Sequence, residues 1–209
     1  MTVPPAHRAF EDLVAEAVAV PTEGWDFSWF EGRATEERPS WRYARSLSGR
    51  LAGAGGAPLP FADGAFDLVV SRHPVRPHWA ETARVLAPGG TYFAQHVGPA
   101  SVFELVEYFL GPQPESVRRA RHPEDERAAA EAAGLEVVEL RAQRLRMEFH
   151  DIGAVVHFLR KVVWMVPGFT VEAYEPRLRA LHRRIADEGP FVAHSTRHLF
   201  DARKPSTAP

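Results

Sequence analysis

The sequence contains no cysteine. That removes disulfides, thiolate catalysis and sulfur-ligated zinc or iron sites together. An excess of charge is missing as well: 25 Lys and Arg stand against 27 Asp and Glu, a formal net charge of -2. Without a global basic field, neither nucleic acid nor an anionic lipid surface is expected as a partner. Long hydrophobic runs are also lacking. The most apolar stretch, Ile152 to Val166, is interrupted by His157, Arg160 and Lys161, which argues against a membrane span. The opening residues Met1-Thr2-Val3-Pro4-Pro5 show no charged region leading into an apolar one, so the expectation is a cytoplasmic protein.

What is present suits a folded chain. Hydrophobic residues make up 45% and charged residues 25% of the 209, which argues against disorder and fits one globular domain. Phe10, Leu13, Val14 and Ala17 recur at helical spacing and predict a helix over about Pro5 to Val18. Trp25, Phe27, Trp29 and Phe30 follow without a helical period. A second helix is expected over Ser40 to Leu51, broken by Gly53, Gly55 and Gly56. From Pro58 the pattern changes to strands alternating with helices, the signature of an α/β fold. Strands are expected at Phe66–Ser71, Thr91–Val97, Leu135–Leu140 (with an extension through Phe149) and Phe191–Ala202. Helices are expected from Trp79 to Leu86, Val102 to Phe109, Pro123 to Ala133, Ile152 to Val166 and Arg177 to Asp187. The chain therefore divides into a helical and aromatic cap segment over 1–56, an α/β domain over 57–204 and a disordered tail over 205–209.

The run Leu59-Pro60-Phe61-Ala62-Asp63-Gly64-Ala65-Phe66-Asp67-Leu68-Val69-Val70-Ser71-Arg72-His73 leads to Ala83-Arg84-Val85-Leu86 and then to Ala87-Pro88-Gly89-Gly90-Thr91-Tyr92. Together these resemble the second half of a class I S-adenosylmethionine-dependent methyltransferase of the UbiE-like type 11 family. Ala133-Gly134-Leu135-Glu136-Val137-Val138 is similar to that family's approach to its sixth strand. The likeness covers Pro58 to Leu140, and the rest fits by order of elements. It implies an incomplete Rossmann-like sheet, with strands equivalent to the fourth to seventh, flanked by helices and preceded by an N-terminal helical segment. It also implies S-adenosylmethionine as cofactor and a small molecule as methyl acceptor.

The Gly-rich half that would cradle the cofactor has one candidate, Ala52-Gly53-Ala54-Gly55-Gly56. No strand-like run precedes it. Only Ala57 and Pro58 separate it from the Leu59-Pro60-Phe61 turn, whereas a βαβ unit needs about 30 residues. The string reads as a junction, and the chain resembles a family member lacking its front βαβαβ portion. Two readings follow: a methyltransferase, or a non-catalytic remnant that acts as an interaction module or completes its sheet by forming a homodimer through the exposed edge.

Ligands of open α/β sheets bind beyond the carboxyl ends of the strands. Ser71 and Arg72 lie there as candidate cofactor contacts, and His73 as a candidate base or acceptor contact, the alternative being a solvated loop histidine. Trp25, Phe27 and Trp29 read either as a lid over a substrate or as a hydrophobic clamp. His157, Arg160 and Trp164 share a helical face that lines an acceptor site or is simply solvated. His194 and His198, four apart on a strand, are too distant to share a metal, and His150 and His157 are read as lacking the carboxylate support of a ligand set. No metal site is expected. Arg118, Arg119 and Arg121 beside Glu124, Asp125 and Glu126 read as a charge-balanced loop.

Overall fold

The structure is a computed structural model that describes residues 7–23, 28–38 and 58–206. Trp25, Phe27, the Ser40–Leu51 helix and the Gly53–Gly56 string lie outside the described residues. The elements run in the order α1 (Phe10–Ala19), β1 (Ala34–Glu36), β2 (Phe66–Arg72), α2 (Trp79–Val85), β3 (Leu86–Val97), α3 (Phe103–Leu110), α4 (Glu115–Arg118), α5 (Pro123–Ala132), β4 (Glu136–Phe149), α6 (Ile152–Lys161), α7 (Val171–Glu188) and β5 (Phe191–Arg203). A 3-10 turn at Ser28–Phe30 precedes β1. The strand order is β1-β4-β5-β3-β2, so the last strand in sequence is inserted between β4 and β3. This is an α/β architecture: a mixed five-stranded sheet, with β2 and β3 parallel, flanked by helices. No helix of the described residues is long and apolar enough to cross a membrane.

The contacts resolve two compact units, each drawn from three stretches of chain. One comprises the described residues within Met1–Arg38, Val102–Pro114 and Leu145–Ser195, the other those within Pro39–Ser101, Glu115–Arg144 and Thr196–Pro209.

In the first unit, Leu13 and Ala17 of α1, Leu105 and Phe109 of α3, and Leu178, Leu181 and Ile185 of α7 build a core with Phe149 and α6. Asp151 caps α6: its Oδ1 accepts from the Ala154 backbone N at 2.8 Å. Gly153 lets α1 come close, because a Cβ there would sit 2.8 Å from the Leu13 carbonyl oxygen. Residues 152–159 are buried on every side of α6, so the expected division into a core stripe and a solvated face does not hold for this turn of the chain. The helix stops at Lys161, leaving Val163 and Trp164 both 61% exposed. Conversely, α7 starts six residues earlier than Arg177 suggested. The hydroxyl of Thr170 caps it by accepting from the Ala173 N at 3.1 Å, and Pro176 is accommodated in its second turn.

In the second unit, β2 and β3 pair in parallel across α2, with Leu68 opposite Thr91 and Arg72 opposite Gln95. Such a pairing requires a crossover connection, which α2 supplies. Arg84 on α2 donates to Glu81, to Asp63 and to the carbonyls of Phe61 and Leu59. This one side chain pins the Leu59-Pro60-Phe61 turn onto the helix. Pro88-Gly89-Gly90 does more than end α2: it forms an irregularity inside β3, where the register jumps between Phe66 and Leu68. A Cβ on Gly90 would meet the carbonyl oxygens of Ala87 at 2.9 Å and Phe66 at 3.0 Å. On its other side, β3 pairs antiparallel with β5, from Thr91 opposite Arg203 to Val97 opposite Arg197. Tyr92, Ala94, Phe200 and Ala202 present one face of this pair to Ala83 and Ala130 in a second core. Among the described residues β2 ends the strand order, with Leu68 42% and Val70 36% exposed.

Candidate functional site

At the carboxyl end of β2, Ser71 pairs with Ala94 and Arg72 with Gln95. His73 then leaves the strand with φ 53°, a left-handed conformation uncommon for a residue with a side chain. Gln95 holds it there twice. The His73 backbone N donates to the Gln95 carbonyl at 2.7 Å, and the Gln95 side-chain amide nitrogen lies 2.7 Å from His73 Nε2. An amide nitrogen only donates, so in this orientation of the amide Nε2 is the acceptor. Burial, then the positive charges of Arg197 and Arg72, push the His73 imidazole down to about 4. It is therefore neutral at pH 7, and its basic nitrogen is already occupied. In this arrangement Nε2 of His73 is engaged by Gln95.

Trp29 and His157, both among the candidate substrate contacts, meet in the first unit. Their rings lie 4.8 Å apart, and Phe30 lies 5.0 Å from His157. Trp29 and His157 border a cavity of about 310 Å³ together with Val20, Pro21, Glu23 and Ser28. Burial, followed by Lys161 and Arg160, lowers the His157 pKa. Arg160 turns elsewhere: its Nη1 donates to the carbonyls of Ala17 at 2.5 Å and Val20 at 3.2 Å, satisfying the end of α1. Trp164 is exposed beyond α6. His194 Nδ1 is 2.8 Å from Glu104 Oε1, in the first unit.

The described residues also contain a cluster that the sequence did not reveal. His96 on β3 and His198 on β5 face each other as cross-strand partners. Glu126, from the first part of α5, reaches between them: its Oε2 is 2.5 Å from His96 Nδ1 and 3.0 Å from His198 Nε2. His96 and His198 are almost fully buried. Burial pushes the Glu126 carboxyl up, but hydrogen bonds from His198 and His96 outweigh this and hold it at about 2. The second nitrogen of His96 lies 3.0 Å from the Tyr92 hydroxyl, and the ring stacks on Phe200 at 5.6 Å and 12°. The acidic trio is thus not all surface. Asp125 lies 3.6 Å from Arg119 in a largely exposed pair, while Glu126 points inward. Alternation along the two strands puts both histidines on the buried face, but only the register brings them opposite each other.

No family model and no curated relative matches the chain. Solved structures that align with part of the chain include BH2331 of Bacillus halodurans (20% identity, TM-score 0.45, covering 70% of this chain and 67% of that one). Another is the YcgJ protein of Bacillus subtilis (17%, TM-score 0.39, 71% and 68%). A third is phosphoethanolamine N-methyltransferase 2 of Haemonchus contortus in complex with S-adenosyl-L-methionine (16%, TM-score 0.34, 70% and 35%). The chain thus spans about two thirds of the first two and about a third of the last.

Proposed function

We propose that this chain is an S-adenosylmethionine-dependent methyltransferase domain acting on a small molecule, with the donor seated beyond the carboxyl end of β2 against Ser71 and Arg72. The observation that carries the reading is the β2–α2–β3 unit. Its parallel strands, its Arg84-clamped turn and its Gly90 constriction are built from the residues that resemble the family's motifs. Methyl transfer needs the acceptor in line with the sulfonium carbon, and positioning alone supplies about 7–11 kcal/mol in favourable systems. A neutral His73 whose Nε2 is engaged by Gln95 suits an orienting contact better than proton removal. Titration calorimetry of the full chain with S-adenosylmethionine tests this. Saturable binding that weakens in Arg72→Ala supports it, and no heat at millimolar donor on folded protein overturns it.

One observation favours a second reading. Among the described residues β2 is the terminal strand of the order and exposes Leu68 and Val70, and an apolar strand edge invites pairing with another chain. On this reading a second copy completes the sheet, and the chain acts as a homodimer or as a non-catalytic interaction module. Sedimentation showing a concentration-dependent dimer that is lost in Val70→Lys supports it. A strict monomer rules it out.

A further inference from the structure

The His96–Glu126–His198 cluster belongs to neither reading above, and its chemistry is that of a metal site. We propose that these three side chains bind a divalent transition-metal ion, Zn2+ by ligand type, with solvent completing the coordination.

Each side chain offers one ligand atom: His96 Nδ1, His198 Nε2 and a carboxylate oxygen of Glu126. The three lie within 4.8 Å of one another. Zinc binds imidazole nitrogen and carboxylate oxygen at about 2.0–2.2 Å, and two histidines with one glutamate plus a water is a known ligand set for it. Tetrahedral angles at those bond lengths place ligand atoms about 3.3–3.5 Å apart. Glu126 Oε2 now stands 2.5 and 3.0 Å from the two nitrogens. Opening them by roughly 1 Å or less, within reach of a carboxylate rotation, makes room for the ion.

The supports are rigid. The two histidines sit on a directly paired position of an antiparallel ladder, and the glutamate sits on a helix packed over that face through Ala130. Tyr92 supplies the outer partner. Binding the ion would shift the His96 proton from Nδ1, which now faces Glu126, to Nε2, which faces the Tyr92 oxygen; the lone pair of Nδ1 then points at the ion, the arrangement that fixes the tautomer of metal-binding histidines. Charge fits as well, since a buried carboxylate with two neutral imidazoles carries one negative charge for the cation to offset.

The experiment is a titration of the metal-free full chain at neutral pH with Co2+, a spectroscopic stand-in for Zn2+. One equivalent should bind with the visible absorption of four-coordinate Co2+ and be displaced by Zn2+. Glu126→Gln and His198→Gln should each weaken binding beyond the ~10–100-fold expected of an outer-shell change such as Tyr92→Phe. Paramagnetic shifts in the wild-type protein read the site even if those variants do not fold, and they must fall on the imidazoles of His96 and His198. No binding at millimolar Co2+ to folded protein overturns the proposal, as do shifts confined to other histidines. None of these results depends on whether the chain binds a methyl donor.

Discussion

His96 and His198 are direct cross-strand partners, and a single oxygen of Glu126 makes contact with both rings. α5 is thereby tied to the β3–β5 pair by polar contacts as well as by Ala130. If Glu126 is truncated to Ala, both buried imidazoles lose their acceptor. With a chelator present, Glu126→Ala should lower the unfolding free energy by about 2–4 kcal/mol, measured by urea denaturation. A loss no greater than that of an exposed substitution such as Glu124→Ala would contradict this.

Gly90 is fixed by space rather than by flexibility, because a Cβ would approach three backbone oxygens: Ala87 at 2.9 Å, Phe66 at 3.0 Å and Asp67 at 3.2 Å. Gly90→Ala should cost about 1–3 kcal/mol through forced displacement of β2 from β3. Gly111→Ala, where nothing lies within 4 Å, tests left-handed backbone strain instead and serves as the contrast. Thermal melting of the two variants separates the causes.

Asp151 is fully buried and caps α6, with Arg33 Nη1 3.5 Å from its other oxygen. Asp151→Ala should destabilise by about 1–2 kcal/mol from the lost cap alone. Asp151→Asn keeps an oxygen for the Ala154 N–H and should recover much of that loss. Equal unfolding midpoints for the two variants would show that the cap contributes little.

His73 gives the protein an acid-side sensitivity. Burial and nearby arginines hold its pKa near 4, below the ordinary 6.5. As pH falls, the unfolded chain takes up this proton first. The contribution to stability is therefore complete above about pH 6.5 and is lost as pH drops from there through about 4. Histidine NMR should show the His73 ring titrating near 4, and His73→Gln should flatten the stability profile between those limits. A midpoint near 6.5 would mean that the ring is solvated.

Much of this fold is legible in the sequence, because periodicity reports burial on a single element. The Phe66 strand, the helix begun by Pro123 and closed before Gly134, and the final Phe191 strand all follow from local pattern and end signals. Less legible is whatever depends on partners distant in sequence. β1, three residues long, exists through its antiparallel pairing with Met147–Phe149. The long β4 continues where the pattern suggested a strand and an extension. α7 begins at Val171, six residues before the expected Arg177, with Pro176 inside it. At the candidate site, Ser71, Arg72 and His73 stand at the strand end as their motif implied, while the grip of Gln95 on His73 depends on the parallel register. The same holds for His96, Glu126 and His198, which lie on three elements. Alternation shows which face each histidine takes, and only the ladder shows that they coincide.

The most direct test of donor binding is an amide correlation spectrum of the full chain titrated with S-adenosylmethionine. The signals of Ser71, Arg72 and His73 should shift together and saturate, because ligands of this sheet type sit beyond the carboxyl ends of the strands. If those signals stay in place at millimolar donor while the spectrum remains that of a folded protein, the end of β2 is not a cofactor site.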